Sequence, residues 1–254
     1  HIVSRRQRQM CIRDRAKVDE RYLKEWLASN AARGYVSYDA EADKFSLTPE
    51  QASVFARESE PTCIQGLIQG VVGQFVKEDV AIDVFKTGRG RPWGEHHECC
   101  FCGTERFFRP AYAGHLLDEW IPALDGVEDK LKLGAKVADI GCGLGTSSIL
   151  MAEQFPNSTI HAFDFHGPSI EEAKKRANEK GLSNLEFFVS DAGEIPKNDY
   201  DLACIFDAWH DMGDPVGIAA SIKETLSKDG TFMVVEPMAS VSYTHLTLPT
   251  RDDV

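Results

Sequence analysis

Residues 137–148 read Val137-Ala138-Asp139-Ile140-Gly141-Cys142-Gly143-Leu144-Gly145-Thr146-Ser147-Ser148. An apolar run enters this stretch and a helical pattern, SSILMAEQF, leaves it, so the three glycines lie in a strand-to-helix turn. A G-x-G-x-G turn at such a place makes a tight reversal and lets backbone approach a ligand closely. The start of the following helix presents unpaired N–H groups to a carboxylate or phosphate. Nicotinamide and flavin enzymes use similar loops, so the turn by itself does not name its ligand.

Working outward from it, the chain alternates strand and helix from Lys136 onward. The strands are KVADIG, TIHAFDF, LEFFVSD, DLACIFD and GTFMVVEP; SSILMAEQF, SIEEAKKRANEKG and DPVGIAASIKETLSK are the helices between them. Continuous apolar strands between amphipathic helices predict a parallel sheet covered on both faces, a doubly wound α/β domain over 132–240. Three acidic residues then narrow the ligand. Asp139 precedes the loop, where it could hold an ammonium through the loop or a water. Asp164 ends the second strand, 19 residues after Gly145, and could accept two ribose hydroxyls. Ser190-Asp191-Ala192 ends the third and could reach an adenine amino group.

Loop, acidic second strand end and acidic third strand end together resemble the class I S-adenosylmethionine (SAM)-dependent methyltransferases, with their Rossmann-like sheet. The resemblance implies SAM as cofactor, bound by Asp139, Gly141, Cys142, Gly143, Gly145, Asp164, Phe165, Asp191, Ala192 and Asp207. Upstream, DERYLKEWLASNAARGYVSYD (19–39) and GTERFFRPAY (103–112), with FDAWHDMGDPVG (206–217), resemble bacterial methyltransferases that carry an N-terminal winged helix. That architecture is similar to plant-type small-molecule O-methyltransferases, which implies a small-molecule acceptor methylated at oxygen and a homodimer. By the same resemblance His210, beside Asp211, would be the general base, although Met212 stands where the family has tryptophan and no orienting acidic partner is matched. The plainer reading has His210 and Asp211 hydrogen-bonding the loop and capping the next helix. Trp93, His96, His97, Phe107, Phe108, Tyr112 and Trp209 are candidates for the pocket wall.

The upstream part predicts a helix over Asp19–Arg33 ended by Gly34, then a hairpin of YVSYD and KFSLT, the second half of a winged helix over 16–60. A helical linker and substrate-enclosing region follows over 61–131. A helical stretch begins at Pro49, before this region, which itself holds a long one over Pro61–Phe85, a break at Thr87–Gly94, and two pieces over Thr104–Leu131 divided near Pro122. Glycines 66, 70 and 73 have the small-residue spacing of a close helix contact. His96-His97-Glu98-Cys99-Cys100-Phe101-Cys102 offers zinc-type ligands but lacks a second Cys/His pair, so no metal is expected.

Residues 1–15 and 241–254 read as adapter artefact. RRQRQMCIRDR (5–15) and VSYTHLTLPT (241–250) are translations of opposite strands of one DNA element, which resembles a transposase adapter used for sequencing libraries. The remaining segment is then expected to be a fragment, truncated after the fifth strand. Of 28 basic and 40 acidic residues, six (Arg5, Arg6, Arg8, Arg13, Arg15, Arg251) and three (Asp14, Asp252, Asp253) lie in those stretches, leaving 22 against 37, a formal charge of −15. That balance disfavours binding to nucleic acid or anionic lipid. No apolar run is long enough to span a membrane. Seven cysteines, Cys11 among them, make no disulfide framework, and a cytoplasmic location is expected. Two other functions fit the same residues: a SAM-binding winged-helix transcriptional regulator, and a non-catalytic SAM-binding interaction protein.

Overall fold

A computed structural model describes residues 17–237. The two stretches read as adapter translation lie outside the described residues. Helix α1 (Glu20–Ala32) starts where the Asp19 carboxylate accepts the N–H groups of Arg21 and Tyr22, and Gly34 beyond its end has φ +78°. Strands β1 (Ser37–Asp39) and β2 (Lys44–Ser46) pair antiparallel as the expected hairpin. Helix α2 (Pro49–Phe55) opens with a capping box between Thr48 and Gln51.

The predicted long helix is two. Helix α3 (Gln65–Val76) ends and α4 (Glu78–Thr87) begins at Lys77, whose φ −115° and ψ 32° leave the helical region. Helix α5 (Glu98–Ala111) starts six residues earlier than the sequence pattern suggested and continues as a π-helical stretch, Tyr112–Trp120, before α6 (Val127–Leu133). His97 caps α5, so the cysteine cluster is helical rather than a loop. The glycine spacing has its partner: a Cβ on Gly73 would lie 2.8 Å from the Cys100 backbone nitrogen, one on Gly66 would run into the backbone of α5, and at Gly70 it is Gly103 of α5 whose Cβ would meet the Gly70 backbone. Glu58, just beyond α2, binds Arg106 (2.7 Å) and Arg109 (3.1 Å) of α5 and ties the winged part to it.

The α/β region then follows: β3 (Lys136–Ile140), α7 (Thr146–Gln154), β4 (Thr159–Asp164), α8 (Gly167–Glu179), β5 (Leu185–Val189), β6 (Tyr200–Phe206), α9 (Pro215–Thr225) and β7 (Leu226–Val235). All neighbours are parallel, in the order β5-β4-β3-β6-β7. The chain moves outward from β3 to β5, then returns to the other side of β3, making a topological switch at the carboxyl ends of β3, β4 and β6. In β6, Leu202, Cys204 and Phe206 pack into one core and Ala203 and Ile205 into the other, which is why the strand reads as unbroken apolar sequence. Each fully buried Leu or Ile contributes roughly 1.5–3 kcal/mol. The last helix is shorter than expected: α9 stops at Thr225, and Leu226 already pairs with Tyr200 before a bulge resets the register to Leu202–Thr231. Among the described residues β7 is an edge, and no helix is long and apolar enough to cross a membrane.

Candidate active site at the carboxyl edge of the sheet

The glycine loop folds as it does because three of its residues need the left-handed region. Gly141, Gly143 and Gly145 have φ +73°, +53° and +77°. Gly141 and Cys142 donate their N–H groups to the Phe163 carbonyl, which anchors the loop to the end of β4. Gly145 precedes α7 without any side-chain cap, leaving the helix start open. A Cβ on Gly145 would lie 2.9 Å from two carbons of the Phe187 ring, whereas one on Gly143 would meet nothing within 4 Å. Gly145→Ala is therefore expected to destabilise the chain by about 2–4 kcal/mol, adding a clash to the left-handed penalty. Gly143→Ala should cost only about 1–2 kcal/mol, and urea denaturation of the two variants measures the difference.

Beneath the loop, Asp139 is fully buried. Its Oδ2 accepts the hydroxyls of Ser147 (2.7 Å) and Ser148 (2.5 Å), which fastens the first turn of α7 to β3. Its Oδ1 is buried without a hydrogen-bond partner, and burial pushes its pKa up to about 6. Asp164 accepts the N–H groups of Gly143 (2.9 Å) and His166 (2.8 Å), one on each oxygen. Asp191 holds the Gly193 N–H at 2.8 Å.

These strand ends open into a cavity of about 610 Å³. Gly141, Cys142 and Gly143 line it on the loop side, with Asp164 and Phe165 from the end of β4. Asp191 and Ala192 line it beyond β5, and Asp207 beyond β6. The opposite wall is one face of α5: Phe101, Thr104, Glu105 and Phe108 recur at helical spacing, and Tyr112 continues the row. Trp93 and His96 close one side. Glu105 locks this wall to the loop by accepting the Thr146 hydroxyl at 2.8 Å. The Phe101 ring meets the His166 ring at 4.5 Å, joining α5 to the end of β4.

Several sequence candidates lie elsewhere. His97 turns back to accept the Cys99 N–H at 3.2 Å, Phe107 and Trp209 are outside the cavity wall, and Trp209 packs on Phe232 at 5.3 Å. Asp139 and Gly145 support the loop from below rather than line the cavity. Phe101, Thr104 and Glu105 were missed; a helix begun at Glu98 would have put them on the same face as Phe108.

At the end of β6 the backbone turns sharply, and Asp207 has φ +52°, a strained value for a residue with a side chain. His210, half exposed, is itself outside the cavity wall, between the wall residues Ala208 and Asp211. Its Nδ1 is 2.6 Å from Oε2 of Glu236, whose Oε1 accepts the N–H groups of Ala208 (2.9 Å) and Trp209 (2.6 Å). A carboxylate only accepts, so Nδ1 carries a proton, and in the neutral ring Nε2 has the lone pair. The Glu236 hydrogen bond raises the His210 pKa, with Asp211 adding to it. Burial lifts Asp207 to about 6, with Glu236 and Asp211 adding to the effect and His210 opposing it. Glu236 is the acidic partner that sequence reasoning did not find. Its signal was positional: Phe206 pairs with Val235, so Asp207 and Glu236 are the next residues on adjacent strand ends.

The site fits SAM. The orphaned Asp139 Oδ1 beneath the loop, the open space over Gly143 and acidic residues at three strand ends of the same edge suit an ammonium, a close backbone approach and a nucleoside. A cation could also sit at Asp207, His210 and Glu236, whose ligand atoms lie within 4.8 Å of one another. Among the described residues that grouping, and not the 96–102 cluster, has metal-ligand spacing.

Comparison with known proteins agrees. Residues 131–249 match the family model described as a methyltransferase domain, and residues 6–57 one described as an Rv2258c-like winged HTH domain. Both ranges reach into the stretches read as adapter translation. A sterol 24-C-methyltransferase of Gibberella zeae is 30% identical over 68% of this chain and 44% of its own length. The aklanonic acid methyltransferase of Streptomyces sp. strain C5 is 32% identical over 41% and 49%. The chain thus spans less than half the length of these curated relatives. The solved structure of a candidate O-methyltransferase from Nostoc punctiforme PCC 73102 superposes with a TM-score of 0.62 at 20% identity, covering 89% of this chain and 68% of that one. Behind a winged-helix segment, the chain carries a SAM-dependent methyltransferase domain of the class I fold.

Proposed function

We propose that the protein methylates a small-molecule acceptor at oxygen, with His210 as general base. The observation that carries this reading is the His210–Glu236 pair beside the donor cavity. Bound SAM supplies an electrophilic sulfonium methyl. Glu236, immobilised by two backbone N–H groups, fixes the imidazole tautomer and leaves Nε2 to take the proton of an acceptor hydroxyl. The α5 wall and the loop hold the two reactants in line and keep water out, which is most of what such a displacement asks of a protein. Acceptor chemistry differs among the relatives: one is named for carbon, others for guanine N7. What the chain shares with all of them is therefore the donor half, and the acceptor reading rests on His210 and the α5 wall.

Incubation with SAM and a panel of hydroxylated small molecules, read as S-adenosylhomocysteine (SAH) formed, tests the proposal. Absence of turnover with SAH still bound would favour a non-catalytic SAM-binding protein. Duplex DNA binding that weakens steeply with salt would favour a regulator. The spacing of Asp207, His210 and Glu236 supports a second reading, a divalent cation orienting the acceptor. Activity unchanged by EDTA is the outcome expected for the base. Loss with EDTA and recovery with Mg²⁺ would assign these residues to the cation instead.

A further inference from the structure

Arg91 lines the cavity and, among the described residues, is the sole lysine or arginine in its wall, among several carboxylates. Its Nη1 donates to Gln74 Oε1 at 2.9 Å. Its Nε and Nη2 are buried and have no hydrogen-bond partner, and among the described residues Arg91 makes no ion pair. A buried guanidinium edge left unpaired costs more than a neutral group would, and in a cavity wall a ligand is the ready explanation.

Geometry says which ligand. Nε and Nη2 form the side edge of the guanidinium, whose two parallel N–H groups match the two oxygens of a carboxylate. Gln74 fixes the opposite edge, because its Nε2 is itself held by His96 Nδ1 at 3.2 Å and Cys100 Sγ at 3.5 Å. Burial, with the Arg91 charge behind it, lowers the pKa of His96 and so favours the neutral form of this neighbour. Trp93 meets Phe101 edge-on at 5.2 Å, and with Phe108 they give the cavity aromatic walls beside the cation. On the methyltransferase reading, the donor's own amino-acid end falls to the glycine loop and the start of α7, which line the cavity at Gly141, Gly143, Thr146 and Ser147.

Resting on the methyltransferase reading, we propose that the acceptor is a hydroxylated aromatic carboxylic acid whose carboxylate docks on Nε and Nη2 of Arg91. The ring then stacks among Trp93, Phe101 and Phe108, and the hydroxyl is presented towards His210.

Calorimetric titration of the SAH-loaded chain with 3,4-dihydroxybenzoate and with the neutral 3,4-dihydroxybenzamide tests this. The benzoate is expected to bind roughly tenfold tighter or more. Arg91→Met should erase the preference and Arg91→Lys retain part of it, which keeps the test valid if one variant folds poorly. Equal binding of both probes, no benzoate binding in the millimolar range, or a preference that survives Arg91→Met overturns the proposal. The second source of a carboxylate is the donor, so SAH is also compared with 5′-methylthioadenosine, which lacks the amino-acid end. The ratio of their affinities should be the same in wild type and Arg91→Met; its collapse in the variant would place the donor's carboxylate on Arg91 and sink the acceptor assignment. Failure of the wild type to bind SAH would instead remove the methyltransferase reading, and the benzoate–benzamide comparison without SAH would still report on Arg91.

Discussion

Replacing His210 with alanine is expected to lower kcat/KM by roughly 10²–10⁴-fold, the range a positioned general base supplies, while SAH affinity stays unchanged. The two readouts separate because His210 lies outside the loop and strand ends that would hold the donor. The pH profile carries more information than the single rate. As base, His210 must be neutral, and its pKa is raised above 6.5 by Glu236. The rate therefore rises with pH through an acid limb lying above 6.5. Glu236→Gln removes the charge that raises it, so the limb should move down towards 6.5 or below, with kcat reduced at every pH because the tautomer is no longer fixed. Asp207 also titrates nearby, raised to about 6, so the limb belongs to a coupled set of groups. Asp207→Asn isolates the histidine. An alanine variant with undiminished turnover would make His210 a loop-holding residue, and a limb that ignores Glu236→Gln would remove the dyad.

The donor half was legible because physics writes it locally. Three positive φ values demand glycines, and strands covered on both faces must be apolar throughout. The switch of direction in the sheet then puts Asp164, Asp191 and Asp207 along the same carboxyl edge of the sheet. The acceptor half depends on choices that the pattern does not reveal. Lys77 is an acceptable helix residue, so the break between α3 and α4 comes from packing. Helix α5 starts at Glu98 because His97 caps it, and histidine is a poor advertisement for a cap. With the start misplaced, Phe107 looked like a wall residue, while Glu105, which clasps Thr146, passed unnoticed. Glu236 was hidden for another reason. Its partner is 26 residues earlier and is met through strand register, which no single segment displays. Arg91 sits in a Gly/Arg/Pro-rich break that reads as a connector, and its importance lies in two missing hydrogen bonds.

Asp139→Asn should change the pH dependence of stability strongly. The folded chain raises the Asp139 pKa from 3.8 to about 6, because the carboxyl is fully buried and only one oxygen is hydrogen-bonded. A raised acid favours the protonated form in the fold. Its stabilising contribution is complete below 3.8 and is lost as pH rises through about 6. The shift corresponds to roughly 3 kcal/mol of wild-type stability lost between pH 4 and pH 7 at this residue. Asparagine does not titrate, so the variant should gain on the wild type by about that amount over the same interval, as measured by paired urea melts. The donor reverses the balance. An ammonium held over the loop favours the ionised carboxylate, so SAH should bind the wild type more tightly as pH rises from 5 to 7. The variant should bind it more weakly at pH 7, by roughly ten- to a hundredfold, and without that slope. Parallel stability curves for the two proteins would show that Asp139 stays ionised throughout. Equal SAH affinity at pH 7 would reduce it to an anchor for Ser147 and Ser148. If both expectations hold, the chain stores the cost of a buried charge beneath its donor site and recovers it when a cationic ligand binds.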